Sequence, residues 1–165
     1  MDAQTRAGAS VQTNSPEGTK SLAAALAAVA RPGDRIALIG PLGAGKTQFA
    51  KGFAAGLGVR ETVNSPSFTL MTEYGGRLPL FHQDLYRLSG AEEAIAGGLV
   101  DERQSAGVTL SEWAERLPAE IDPGRLTVNI AVRGDDKRQI SLTPGAADHA
   151  RYLNALANWA DENKA

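Results

Sequence analysis

The chain has 165 residues, 42% of them hydrophobic and 22% charged, which is enough for one globular domain with its own core and little beyond it. A formal net charge of −2 supplies no overall positive field for DNA or RNA, and the lack of cysteine excludes a disulfide framework and thiolate metal sites. No apolar run is long enough to span a bilayer, and Met1 to Asn14 lack the apolar stretch of a secretory leader, so a soluble, cytoplasmic protein is expected.

Residues 1–14 are polar and read as a flexible tail, leaving 15–165 as a single domain. Ser15-Pro16-Glu17 has the chemistry of a helix start, serine as cap and proline in the first turn. Leu22, Ala25, Leu26 and Val29 then recur at helical spacing until Pro32-Gly33-Asp34 ends the helix. Ile36 to Ile39 is a continuous apolar run, as in a strand covered on both faces. It leads into a glycine-rich turn, and Lys46 to about Leu57 reads as the next helix. Ser67–Tyr74 and Leu78–Leu85 flank Gly75-Gly76 and predict a hairpin. Ser89 with Glu92 resembles a capping box opening a short helix. Val108 to Leu110 reads as another buried strand ending at Ser111-Glu112-Trp113. Leu126–Val132 and Gln139–Leu142 predict a second hairpin, and Leu153, Leu156 and Trp159 an amphipathic closing helix. The expected fold is α/β, a three-layer P-loop NTPase-like domain whose mixed sheet is interrupted by hairpins.

Gly40-Pro41-Leu42-Gly43-Ala44-Gly45-Lys46-Thr47 matches G-x-x-x-x-G-K-[ST] in full and sits between a strand and a helix, the context this pattern requires. Glycines let backbone N–H groups approach phosphates, and the helix N-terminus adds its dipole to the same anion site. Lys46 is placed for the β- and γ-phosphates, the Thr47 hydroxyl for Mg²⁺, and the backbone from Gly40 through Leu42, Gly43, Ala44 and Gly45 to Gln48 for the rest of the nucleotide. With glutamine at position 48 the third glycine of a dinucleotide fingerprint is missing, and no Asn-Lys-x-Asp motif favours GTP. Two acids close strands and are candidates for the metal: Asp84 and Glu112. Each is otherwise an ordinary surface acid. His82 reads as strand packing or a hydrogen-bonding residue, Lys51 as a solvated side chain.

With these residues in view, the chain resembles the TsaE (YjeE) family of bacterial ATPases of tRNA threonylcarbamoyladenosine biosynthesis. The matching segments are Gly40 to Thr47, Phe49-Ala50-Lys51-Gly52, Leu57-Gly58-Val59, Ser65-Pro66-Ser67-Phe68-Thr69-Leu70, His82 to Leu88, Gly98-Leu99 and Glu112-Trp113, spanning about Pro32 to Pro118. The resemblance implies an ATP- and Mg²⁺-dependent hydrolase that supports turnover of a TsaD–TsaB complex and meets tRNA only through that complex. It maps catalytic roles onto Lys46, Asp84 and Glu112, the metal site onto Thr47, Asp84 and Glu112, and a switch-like segment onto Ser65, Ser67 and Thr69. Trp113 would lie near the nucleotide, and Tyr86 and Arg87 would face a partner. Three residues depart from the family pattern: Pro41 for an acid, Ser67 for threonine and Gln83 for an aromatic. Two other functions fit a lone P-loop domain: a small metabolite kinase, and a non-catalytic switch in which ATP shapes a partner surface. Between Leu88 and Val108 a single arginine, Arg103, and no clear lid argue against the kinase.

Overall fold

The computed structural model describes residues 8–64, 71–86, 88, 101–117, 122 and 124–163. Helix α1 (Pro16–Ala27) starts as its sequence dictates. Ser15 is extended, and its hydroxyl accepts from the Gly18 N–H at 3.0 Å. The helix stops at Ala27, before Pro32 is reached. Residues 28–30 tighten into turns, with Val29 and Ala30 donating to the carbonyls of Leu26 and Ala27. Strand β2 (Arg35–Ile39) follows, then α2 (Lys46–Gly56). The first predicted hairpin forms from β3 (Met71–Tyr74) and β4 (Leu80–Asp84), in antiparallel register with Tyr74 opposite Leu80. Strand β5 (Val108–Glu112) is buried along its whole length. The second hairpin is β6 (Leu126–Val132) with β7 (Arg138–Thr143), and α3 (Ala150–Glu162) closes the domain. The capping box expected at Ser89 and Glu92 lies outside the described residues.

The flexible tail is corrected in part. Ala9–Thr13 form a strand, β1, antiparallel to β7 with Val11 opposite Ile140. The segment has one large apolar residue, Val11, so its apolar pattern is too weak to announce a strand. What orders it is the otherwise open edge of β7, whose backbone groups need partners. Thr13 then ties the strand to α1 through a 2.8 Å hydroxyl pair with Thr19.

The seven strands form one sheet in the order β1-β7-β6-β2-β5-β4-β3. The central pairs β6–β2, β2–β5 and β5–β4 are parallel, and the outer pairs antiparallel. The domain is therefore the expected three-layer α/β fold with a mixed sheet. The main core lies between this sheet and the helices, built on residues such as Leu22, Leu26, Phe49, Phe53, Leu110 and Tyr152. Helices α1 and α2 pack backbone to backbone. A Cβ added at Gly52 would sit 2.3 Å from the Lys20 carbonyl oxygen, so only glycine permits this approach. Strand β2 lies at the centre of the sheet, flanked by β5 and β6, and delivers the glycine-rich turn to the carboxyl edge, where α/β sheets bind ligands.

Candidate functional site

The turn after β2 is held in a conformation that favours glycine. Gly43 and Gly45 have φ of 80° and 104°, and Gly45 caps α2 without any side-chain oxygen. The first N–H groups of α2 thus have no intrahelical acceptor and no capping side chain. Lys46 is buried: its ammonium donates to the Gly40 carbonyl and lies 3.5 Å from the centre of the Trp113 ring. Burial pushes the Lys46 ammonium below its ordinary value, opposed by the negative charges of Glu115, Glu112 and Asp84. An anion delivered to this lysine would be met by a desolvated, electrostatically strong cation.

The two acids arrive by strand register. Asp84 and Glu112 are paired neighbours at the ends of β4 and β5, and Glu112 is also level with Leu38 of β2, one residue short of the strand's end. Both are buried. Asp84 Oδ1 accepts the Tyr86 N–H at 3.0 Å, and Glu112 Oε2 lies 2.6 Å from His82 Nε2. A cleft of about 390 Å³ brings together Leu42, Gly43, Ala44, Gly45, Lys46, Thr47, Gln48, Asp84, Glu112 and Trp113. Every residue singled out for phosphate or metal lines it except Gly40, which lies beneath and receives the Lys46 ammonium. Hard oxygen donors from Thr47, Asp84 and Glu112 suit a cation such as Mg²⁺, which takes one or two carboxylates and completes its shell with water and phosphate. Among the described residues no three His, Asp or Glu side chains form a self-sufficient metal cage. The switch-like Ser65, Ser67 and Thr69, and Arg87, lie outside the described residues.

Trp113 has φ of 57° and ψ of 40°, the one non-glycine residue at positive φ among the described residues. Its ring packs at 5.0 Å against the exposed Tyr86, over which Arg116 lies at 5.3 Å. Gln83 accepts from the Ser111 hydroxyl at 3.0 Å across the β4–β5 pair. This hydrogen bond is buried.

Arg138 was not legible as a site residue. From β7 its guanidinium donates to the carbonyls of Ala44 at 2.9 Å and Gly43 at 3.3 Å. Fixing the Ala44 carbonyl also fixes the Gly45 N–H on the opposite side of the planar peptide. No local signal marks it: the contact spans 94 positions, and an arginine beside a polar hairpin turn reads as solvated. A second cavity, behind the turn, is lined by Ser15, Pro16, Thr19, Asp136 and Arg138 and shares Gly43, Ala44, Gly45 and Gln48 with the first.

Comparison with known proteins agrees with this architecture. Residues 13–140 match the family described as TsaE, threonylcarbamoyl adenosine biosynthesis protein. The tRNA threonylcarbamoyladenosine biosynthesis protein TsaE of Bacillus subtilis is 47% identical over 133 residues, covering 80% of this chain and 83% of that protein. The protein of the same name from Treponema pallidum is 41% identical over 110 residues, covering 67% and 82%. The crystal structure of Bacillus subtilis YdiB superposes with a TM-score of 0.71 at 39% identity, covering 96% of this chain and 97% of that one. With a matching family model across most of its length, relatives of this similarity and a shared fold, the chain belongs to the TsaE family of threonylcarbamoyl adenosine biosynthesis proteins.

Proposed function

We propose that this protein is the ATP-hydrolysing component of the tRNA threonylcarbamoyladenosine machinery, acting on a TsaD–TsaB complex and meeting tRNA only through it. The observation that carries the reading is the single cleft in which the P-loop, Lys46, Thr47, Asp84 and Glu112 converge in a chain of this family. The curated relatives are named for tRNA threonylcarbamoyladenosine biosynthesis, and a net charge of −2 suits a protein that leaves tRNA contact to partners. The amides of the turn and Lys46 would hold the phosphates, and the cavity behind the turn would take the nucleoside. Mg²⁺, when bound, would neutralise charge on the β- and γ-phosphates. Thr47, Asp84 and Glu112 would hold it, and the low-dielectric setting of the two buried acids would strengthen that grip.

Dependence on partners has its own support. Lys46 is folded back onto Gly40 and covered by Trp113, so productive phosphate contact requires the indole and ammonium to rearrange. A complex that stabilises the rearranged form would raise the rate. The proposed role in tRNA modification would place its action in the cytoplasm; no helix among the described residues is long and apolar enough to cross a membrane.

The test is ATP turnover measured for this protein alone and with TsaD- and TsaB-type proteins, using parent and Lys46→Ala. Slow turnover alone, stimulation by both partners together and loss in Lys46→Ala are expected. ATP-dependent assembly without stimulated hydrolysis would replace the ATPase reading with a switch. Unimpaired ATP binding by Lys46→Ala in calorimetry would remove the P-loop assignment.

A further inference from the structure

His82 is fully buried on β4, two residues before Asp84, so the two side chains leave the same face of the strand. In the parallel β4–β5 pair His82 is opposite Leu110 and Asp84 opposite Glu112, which sets Glu112 diagonal to the imidazole. The diagonal is closed by the 2.6 Å contact between His82 Nε2 and Glu112 Oε2, with side-chain exposures of 0% and 4%. An ionised carboxylate only accepts, so Nε2–H is the donor. The other ring nitrogen, Nδ1, is buried and has no hydrogen-bond partner among the described residues. Leaving a polar atom unsatisfied in this way costs about 1–3 kcal/mol. Packing alone would favour an apolar side chain at this fully buried position, which is opposite Leu110 on β5. What the histidine supplies and an aliphatic residue does not is its grip on Glu112.

A glutamate at a strand end has three rotatable side-chain bonds and, facing a cleft, several places to put its charge. The bond from His82 commits Oε2 of a residue that lines the cleft shared with Thr47 and Asp84, leaving Oε1 outside that bond. We infer that His82 is a positioning residue: through Nε2–H it fixes the Glu112 carboxylate in the orientation that receives a divalent cation bound with the nucleotide. This rests on the proposed reading of Glu112 as a metal acid. It inverts the common arrangement in which a carboxylate orients a ligating histidine, where loss of the outer partner costs about 10- to 100-fold in metal affinity.

The test uses Mn²⁺ as the probe, since oxygen sites for Mg²⁺ accept it. Free Mn²⁺ is measured by electron paramagnetic resonance as it is titrated into the full-length protein saturated with ADP, for the parent, His82→Gln and His82→Asn. The two amides are alike in polarity, but only glutamine carries an N–H far enough to reach Oε2. His82→Asn should lose at least about tenfold in Mn²⁺ affinity, with His82→Gln close to the parent. ADP affinity in the presence of a chelator should be unchanged in both. Equal Mn²⁺ affinity in the two variants, or a joint loss of Mn²⁺ and chelator-insensitive ADP binding, would reduce His82 to a packing residue. Glu112→Gln separates the two levels of the reading. If it leaves Mn²⁺ affinity at the parental value, the metal assignment of Glu112 falls and this inference with it. If it lowers affinity while the His82 variants do not separate, only the inference falls. A measurement on the unmodified protein stands beside these, because its two histidines, His82 and His149, are readily distinguished by ¹⁵N NMR. Adding Mg²⁺ to the ADP complex should shift the His82 Nε2 resonance and leave His149 in place, and an unmoved His82 signal would overturn the role.

Discussion

Trp113 holds its side chain over Lys46 from a backbone conformation that costs a non-glycine residue about 1–2 kcal/mol. Such strain persists where surrounding contacts over-determine it. Here they include Lys46 beneath the ring, Tyr86 beside it and the small cluster of Leu85, Leu88, Leu117 and Met71. A phosphate drawn to Lys46 competes with this cation–π contact, so the indole should report nucleotide binding. The second tryptophan, Trp159, instead donates to Ser21 at 3.0 Å where α3 meets α1. In a Trp159→Phe background, ATP with Mg²⁺ should produce a saturable change in Trp113 fluorescence, absent when Lys46→Ala is added. A silent Trp113 in a variant shown by calorimetry to bind ATP would detach it from the site.

At the scale of elements, the P-loop helix is positioned by how closely α2 approaches α1. Alanine propensity alone would stabilise α2 by about 1 kcal/mol at an interior glycine. At Gly52 the added methyl meets rigid backbone at 2.3–2.7 Å, which forces the helices apart, and overpacking of this kind costs about 1–3 kcal/mol. Gly52→Ala should therefore lower the unfolding free energy in urea despite its better propensity. Gly75→Ala, at an exposed position with open space around it, should change it by no more than about 0.5 kcal/mol. A stabilised Gly52→Ala would show that the helix contact yields more easily than its geometry indicates. Strand β1 illustrates the same scale from the other side, since its order comes from the β7 edge and the Thr13–Thr19 contact rather than from its own residues.

Across the whole molecule, α3 is fastened to the start of β2 by a buried network. Arg151 Nη1 and Nη2 donate to Asp34 at 2.6 and 2.7 Å, and the Tyr152 hydroxyl also donates to Asp34. Burial alone would raise the Asp34 carboxyl, but hydrogen bonds from Arg151, Tyr152 and the Arg31 N–H together hold it below 3.8. Asp34 thus binds its proton more weakly folded than unfolded. Its contribution to stability is present above pH 3.8 and is lost as pH falls through the lower folded-state value. Asp34→Asn, which leaves the Arg151 guanidinium to the Val29 carbonyl and a 3.5 Å pair with Asp148, should cost about 3 kcal/mol at pH 7. In urea titrations the gap between parent and variant should close only below pH 3.8. A gap independent of pH down to 2 would mean that the charge of Asp34 is not what secures α3.

The parts of this protein that were legible in its sequence are those whose physics is local. Positive φ at Gly43 and Gly45, the serine cap of α1, the apolar run of β2 and the Gly75-Gly76 turn each follow from a few adjacent residues, so strand, P-loop, helix and hairpins could be placed in order. Asp84 and Glu112 were candidates because each closes a strand, but that they are neighbours follows only from the parallel register of β4 with β5. Tertiary structure alone decided the rest. Arg138 meets the P-loop, His82 meets Glu112, Asp34 meets Arg151, and β1 joins the sheet, all across separations of 30 to more than 100 residues. Residue type and period determine what a segment can become, whereas which charged or polar group it faces depends on strand order and register, which are settled only when the whole core is buried together.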